Sequence, residues 1–275
     1  MNDAFTKFDL TGRTAVVTGG GTGLGYHMTR GLARSGAKVL ITARRADVLT
    51  KAADELNAEI GDERVFCHTV DLSDRASVTA LTEHAIDSLG WVDIFIGNAA
   101  QDFLEPIDDI RDESIDQILQ VNLAANVQLV RAFLPGMRAR KWGRILFSSS
   151  ASTVCAPAND NMAMYTATKG ALNAFTRTAA NEAGPDGITV NTLILGLFLT
   201  DMVKEAIEGY TQTHGADAGA AFNRSFTNMT SLDRLGKCED VEGLVQLLAS
   251  DAGRYITGAN IAIDGGLSVM LRPRL

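Results

Sequence analysis

The sequence predicts an α/β fold, a doubly wound parallel sheet with helices on both faces. Three observations predict it. Short apolar runs recur at residues 14–19, 37–43, 64–70, 92–99, 144–150, 188–195 and 260–266. Most of these runs are continuous rather than alternating, the pattern of strands buried on both faces. Helical stretches separate them almost to the end, so right-handed crossovers can join parallel neighbours.

The first strand, TAVVTG, runs directly into GGTGLGYHMTRGLARSG, which puts Gly19, Gly23 and Gly25 where a strand turns into a helix. Glycine there allows positive φ and close backbone approach, while the helix start offers unpaired N–H groups to a pyrophosphate. The mechanism is that of a dinucleotide site, although the spacing differs from strict GxGxxG. The second strand ends in LITARRAD, with Ala43 where an acidic side chain would bond a ribose 2′-hydroxyl and Arg44 and Arg45 next. A guanidinium takes a 2′-phosphate with two hydrogen bonds, which favours NADP(H) and leaves NAD(H) possible. Two arginines before a helix also fit simple solvated charge.

The third strand ends at Asp71, and Ser73 is the expected N-cap of the helix SDRASVTALTEHAIDSLG. After the fourth strand, VDIFIGNA, a helical stripe of Ile115, Ile118, Leu119, Asn122, Asn126 and Leu129 includes amides that need partners if buried. The fifth strand, GRILFSSS, ends in serines. The next helix, MAMYTATKGALNAF, sets Tyr165 and Lys169 one turn apart. An ammonium beside a phenol favours the phenolate, so the pair is expected to lower the Tyr165 pKa. Residues 197–233 break the alternation: Phe198, Met202, Tyr210, Phe222, Phe226 and Met229 surround HGADAGAA. That composition fits a substrate flap and equally an ordinary surface insertion.

The chain has 275 residues, 46% hydrophobic and 21% charged, with no linker or repeat, so one domain over residues 1–275 is the simplest account. Its net charge of −8 argues against nucleic acid or an anionic membrane as partner. Cys67, Cys155 and Cys238 form no disulfide or zinc pattern, and the four histidines have no ligand spacing, so no metal is expected. The absence of an apolar run of signal or membrane length makes a cytoplasmic protein the expectation.

With TGGGTGLG, Asp71, GNAA at 97–100, Asn122, the serines at 148–150 and YTATK at 165–169, the chain resembles the classical short-chain dehydrogenase/reductase family, in the manner of its 3-oxoacyl reductases. The resemblance runs from about residue 10 to about 268 and includes the late RLGKCEDVEGL and GANIAIDGG segments. It implies a Rossmann-like domain with a seven-stranded parallel sheet, and a homotetramer. It assigns Asn122, Ser150, Tyr165 and Lys169 to catalysis: Tyr165 as general acid/base, Lys169 tuning it, Ser150 orienting substrate oxygen, and Asn122 holding a water in a proton relay. Cofactor contacts fall on Gly19, Thr22, Gly23, Leu24, Arg44, Asp71, Leu72, Asn98, Ala99, Tyr165, Lys169, Leu197 and Thr200.

Three features depart from the family pattern. Gly97-Asn98-Ala99-Ala100 stands for Asn-Asn-Ala-Gly, and Leu195-Gly196 stands for Pro-Gly. Ser150 lies two residues further from the tyrosine than is common, which an insertion within VCAPANDN accounts for; Ser152 and Ser149 are the alternatives. The expected activity is an NADP(H)-dependent oxidoreductase exchanging a hydride with a carbonyl or alcohol, on a small substrate that the apolar flap residues suggest is hydrophobic. The alternatives are an enoyl- or dienoyl-thioester reductase and a non-catalytic dinucleotide sensor.

Overall fold

The computed structural model describes residues 3–155 and 161–270. In chain order the elements are α1 (Asp3–Thr6), β1 (Thr14–Thr18), α2 (Gly23–Arg34), β2 (Lys38–Ala43), α3 (Ala46–Ile60), β3 (Val65–Thr69), α4 (Arg75–Leu89) and β4 (Ile94–Gly97). There follow α5 (Asp112–Leu119), α6 (Ala125–Arg140), β5 (Gly143–Ser150), α7 (Ala163–Ala183), β6 (Ile188–Leu195), α8 (Asp201–His214), α9 (Ala216–Thr227), α10 (Glu242–Ala249) and β7 (Asn260–Ile263). Each of the seven apolar runs supplies one strand, trimmed by a residue or more at about half of the ends and, at β5, begun one residue earlier.

All seven strands form one parallel sheet in the order β3-β2-β1-β4-β5-β6-β7. Burial follows position. The inner strands β1, β4 and β6 are buried at every residue, while edge strands β3 and β7 alternate or open to solvent. Two apolar clusters flank the sheet, one containing Val17, Ile41, Leu146 and Leu193, the other Val16, Leu40, Phe95 and Phe147. Successive residues of β1 and β2 thus serve opposite faces, the strand period of two. Each such side chain contributes about 1.5–3 kcal/mol when fully buried, which makes the sheet a stiff platform for whatever stands at its rim.

From β1 the chain winds outward to β2 and β3, then returns across to β4. At that reversal the loops leaving β1 and β4 diverge, and a crevice opens at the carboxyl ends of the strands. Two local expectations change. The α4 N-cap is Asp74, whose carboxylate accepts from Ala76 N–H, while Ser73 instead donates to Asp71 from both N–H (2.9 Å) and hydroxyl (2.6 Å). The stripe through Asn122 is not one regular helix, because Gln120–Ala124 forms a π turn between α5 and α6.

Candidate active site

Three strand ends are stitched together by side chains. The Thr18 hydroxyl accepts from the N–H groups of Asn98 (3.0 Å) and Ala99 (3.1 Å). The Asn98 amide donates to the carbonyls of Thr18 (3.1 Å) and Gly19 (3.3 Å) and accepts from the Ser148 hydroxyl at 3.0 Å. Asn98 thereby ties β1, β4 and β5 at the point where the crevice opens.

Several glycines of the loop leave no room for a side chain or adopt a backbone that disfavours one. Gly19 and Gly23 have φ of 67° and 53°, the left-handed region that favours glycine. A Cβ on Gly25 would lie 2.0 Å from the Gly19 carbonyl oxygen, and one on Gly19 would lie 3.0 Å from the Asn98 amide nitrogen. The bare backbone borders a cleft of about 900 Å³ lined by Gly19, Thr22, Gly23, Leu24, Arg44, Asp71, Leu72, Asn98, Ala99 and Thr200 among the expected cofactor residues. Leu197, Tyr165 and Lys169 do not line it. The Leu197 carbonyl accepts from Gly236 N–H at 2.9 Å beside a parallel bridge between Phe198 and Gly236.

This cleft fits a dinucleotide on structural grounds. Besides the glycine cradle, the buried Thr42 hydroxyl in its wall has no hydrogen-bond partner, which leaves a donor and acceptor to offer a ligand. Arg44 and Arg45 are exposed at the rim beyond Ala43. The Asp71 carboxyl is held below its usual range by its bonds from Ser73, and the Arg44 charge adds to this from across the cleft.

Outside that lining, Ser150 stands at the carboxyl end of β5 and Tyr165 and Lys169 on α7. Ser150 closes β5, its hydroxyl accepts from the Ser152 N–H (3.2 Å) and hydroxyl (3.0 Å), and it acts on the Tyr165 phenol so as to lower its pKa. Ser149 points away, donating to the Lys169 carbonyl at 3.4 Å, and Ser148 is engaged by Asn98. Of the serines considered, Ser150 is the one that acts on the phenol. The insertion that separates Ser150 from Tyr165 falls largely on residues 156–160, outside the described residues.

Lys169 is 2% exposed and donates to the Ser148 carbonyl at 2.6 Å, with its ammonium 5.5 Å from the Tyr165 ring centre. Burial pushes its pKa down from 10.5 to about 8. The expected lowering of the Tyr165 pKa is reversed. Burial pushes the phenol from 10.0 up to about 12, the Asp102 charge adds to the rise, and the Ser150 bond opposes it. The spacing of a tyrosine and a lysine carries no information on desolvation, and desolvation dominates here.

Asn122 is fully buried in the π turn, and its side chain is committed. Its oxygen accepts from Gln101 N–H (2.8 Å), and its nitrogen donates to the Gln101 carbonyl (2.8 Å) and the Thr168 hydroxyl (3.1 Å). Thr168 in turn donates to the Tyr165 carbonyl at 2.7 Å, so Asn122 joins the loop after β4 to the turn that carries the phenol. The Asn122 carbonyl accepts from the Asn126 amide at 2.8 Å. Asn126 also explains Gly97: a Cβ at Gly97 would lie 2.1 Å from the Asn126 side-chain oxygen, so the helix amide fills the space that a side chain on the strand would need.

Sequence reasoning missed Gln101, Thr168 and the pairing of Gly97 with Asn126, all contacts between segments distant in the chain. In α8 and α9, Tyr210 stacks on Phe222 (4.4 Å) and Phe222 meets Phe226 edge-on (4.9 Å). Much of the apolar surface that suggested a hydrophobic substrate is therefore used within this hairpin. Met202 is the exception, exposed at the cleft.

The family model described as short chain dehydrogenase matches residues 13–211. The chain is 34% identical over 258 residues to the 3-oxoacyl-acyl-carrier-protein reductase FabG of Pseudomonas aeruginosa, covering 94% of this chain and 98% of that one. It is 30% identical over 255 residues to a D-beta-hydroxybutyrate dehydrogenase of Rhizobium meliloti, covering 92% and 98%. The crystal structure of L-sorbose reductase from Gluconobacter frateurii, complexed with NADPH and L-sorbose, superposes with a TM-score of 0.90 at 30% identity, covering 96% and 100%.

Proposed function

Because the chain belongs to the short-chain dehydrogenase family, we propose that it is an NADP(H)-dependent oxidoreductase acting on a carbonyl/alcohol pair, with Tyr165 as general acid/base. The observation that carries this reading is the Lys169 ammonium 5.5 Å from the Tyr165 ring, with Ser150 at the end of β5 acting on the same phenol. A nicotinamide held by the glycine loop in the cleft would supply or accept the hydride. The rest falls to side chains of this chain. As hydride adds to a carbonyl carbon, the oxygen gains negative charge and needs donors. Ser150 and Tyr165 are placed together to provide two.

With a pKa of about 12 the phenol holds its proton at neutral pH, as a donor in reduction must, but burial makes that proton harder to give, so stabilisation of the phenolate has to come from its neighbours. Once given, the phenolate lies beside Lys169, whose charge offsets what burial makes costly. Asn122 serves the site as a clasp on Gln101 and Thr168, which orients the Tyr165 turn.

NADP(H) is favoured over NAD(H) by Ala43 and the exposed Arg44 and Arg45 at the adenosine end of the cleft, and the L-sorbose reductase relative is one that binds NADPH. We read α8 and α9, which pack chiefly on each other, as a flap on a single domain. A homotetramer in the cytoplasm completes the proposal; among the described residues no helix is long and apolar enough to cross a membrane.

The test is NADPH oxidation with a panel of ketones, 3-oxoacyl thioesters and enoyl thioesters, repeated with NADH and with Arg44→Asp. Ketone or oxoacyl turnover is expected, with Arg44→Asp moving the NADPH/NADH ratio of kcat/KM by about tenfold or more toward NADH. Turnover confined to enoyl thioesters, or NADPH binding with no oxidation, would overturn the reading.

A further inference from the structure

We propose that Asp102 is a specificity-determining residue, whose carboxylate turns away anionic keto acids and accepts a hydrogen bond from a hydroxylated, uncharged carbonyl substrate. The inference rests on the reading of Tyr165 as the proton donor and deepens it by naming the substrate class.

Asp102 follows Gln101, whose N–H and carbonyl are both clasped by Asn122 at 2.8 Å. The same Asn122 amide donates to Thr168, which bonds the Tyr165 carbonyl. Two steps of hydrogen bonding thus fix the backbone before Asp102 to the helical turn that carries the phenol. Asp102 itself is exposed. Its chain neighbour Gln101 lines the cleft, and the Asp102 charge adds to the rise of the Tyr165 pKa.

Asp102 differs from its acidic neighbour in being uncommitted. Glu105, three residues on, is bound by Arg111 at 2.6 Å and by the Ser114 hydroxyl at 2.9 Å. Among the described residues Asp102 forms no ion pair and no side-chain hydrogen bond, so its lone pairs face outward unneutralised. The cations do not balance it. Arg44 and Arg45 line the cleft at the Asp71 end, and the Lys169 ammonium is buried and donates to the Ser148 carbonyl. A second carboxylate, Asp264, lies within charge reach of Cys155 on the segment after Ser150 and Ser152.

A carboxylate on the substrate near the reacting carbonyl would therefore meet like charge, and a close pair at a protein surface is worth about a tenfold change in affinity. A substrate hydroxyl would find a charged acceptor, the stronger kind of hydrogen bond.

The experiment compares three ketones with NADPH: 4-hydroxy-2-butanone, acetoacetate and methyl acetoacetate. They share a methyl ketone and differ in a terminal hydroxyl, carboxylate or neutral ester. In the wild type, kcat/KM is expected to be about tenfold or more higher for 4-hydroxy-2-butanone than for acetoacetate, with the ester, uncharged but lacking the hydroxyl, between the two. Added salt should raise the acetoacetate value and leave the other two level. Asp102→Asn should narrow the gap to about threefold or less, chiefly through the KM for acetoacetate, and Asp102→Glu should preserve it. The base limb of the pH profile should move down in Asp102→Asn, a charge effect that a purely structural role would not give.

An unmoved ratio in a variant that still reduces 4-hydroxy-2-butanone would overturn the Asp102 assignment alone. So would a wild type that prefers acetoacetate. Failure of wild type and variants to oxidise NADPH with any ketone would overturn the underlying reading as well.

Discussion

Replacing Lys169 by methionine is expected to flatten the alkaline pH dependence of stability. The ammonium is 2% exposed, and its pKa falls from 10.5 to about 8, with burial the cause. A fall of that size corresponds to a penalty of roughly 3 kcal/mol on the charged form in the folded protein. The sign follows from proton binding. Between about pH 8 and the unfolded lysine value near 10.4, the unfolded chain binds the proton more tightly, so unfolding takes up protons and stability rises with pH. Below pH 8 the full penalty is present, and above about 10.5 it is gone.

Methionine keeps much of the volume and carries no charge, although it leaves the Ser148 carbonyl without its 2.6 Å donor. That loss costs about 1–3 kcal/mol at every pH and cancels from the slope. Wild type should therefore gain about 2 kcal/mol relative to Lys169→Met between pH 7 and pH 9.5. Tyr165, with a folded pKa of about 12, stays protonated in both proteins over this range. Urea unfolding of the pair at four or five pH values measures the difference. A gap that is constant with pH would show that Lys169 titrates normally in the folded state and would refute the desolvation argument.

Three further outcomes are expected. Ser150→Ala should cut kcat by about a hundredfold, with Ser152→Ala far milder, in steady-state NADPH assays; the reverse ranking would move the substrate-orienting role to Ser152. Gly25→Ala should weaken NADPH binding about tenfold or more by fluorescence titration, because the 2.0 Å approach of its Cβ to the Gly19 carbonyl can be relieved only by moving the loop backbone. Gly97→Ala should lower stability by about 1–3 kcal/mol, and combining it with Asn126→Ala should recover part of the loss. Strict additivity in that cycle would show that the 2.1 Å conflict with Asn126 is not what excludes a side chain at 97.

Much of the architecture was legible because its causes are local. Runs such as TAVVT and ITVNTLIL became strands buried at every residue, as continuous apolar stretches require. Gly19 and Gly23 do adopt the left-handed backbone that their place between strand and helix called for. Tyr165 and Lys169 share a helix face because the helix repeat puts them there. The shift of the α4 cap from Ser73 to Asp74 was a choice between adjacent capable residues, decided when Asp71 captured the Ser73 hydroxyl.

What the sequence by itself determined was therefore what depends on neighbours in the chain: the alternation of strand and helix, the glycine turn, and the residue types carried by each segment. Only the tertiary structure decided where the Asn122 amide spends its bonds, why Gly97 can face Asn126, and that the Asp102 charge acts on Tyr165. It also reversed the direction of the Tyr165 pKa. Spacing along a helix fixes which groups meet, but desolvation sums over atoms brought in from every packed segment, and that sum exists only once the chain has folded.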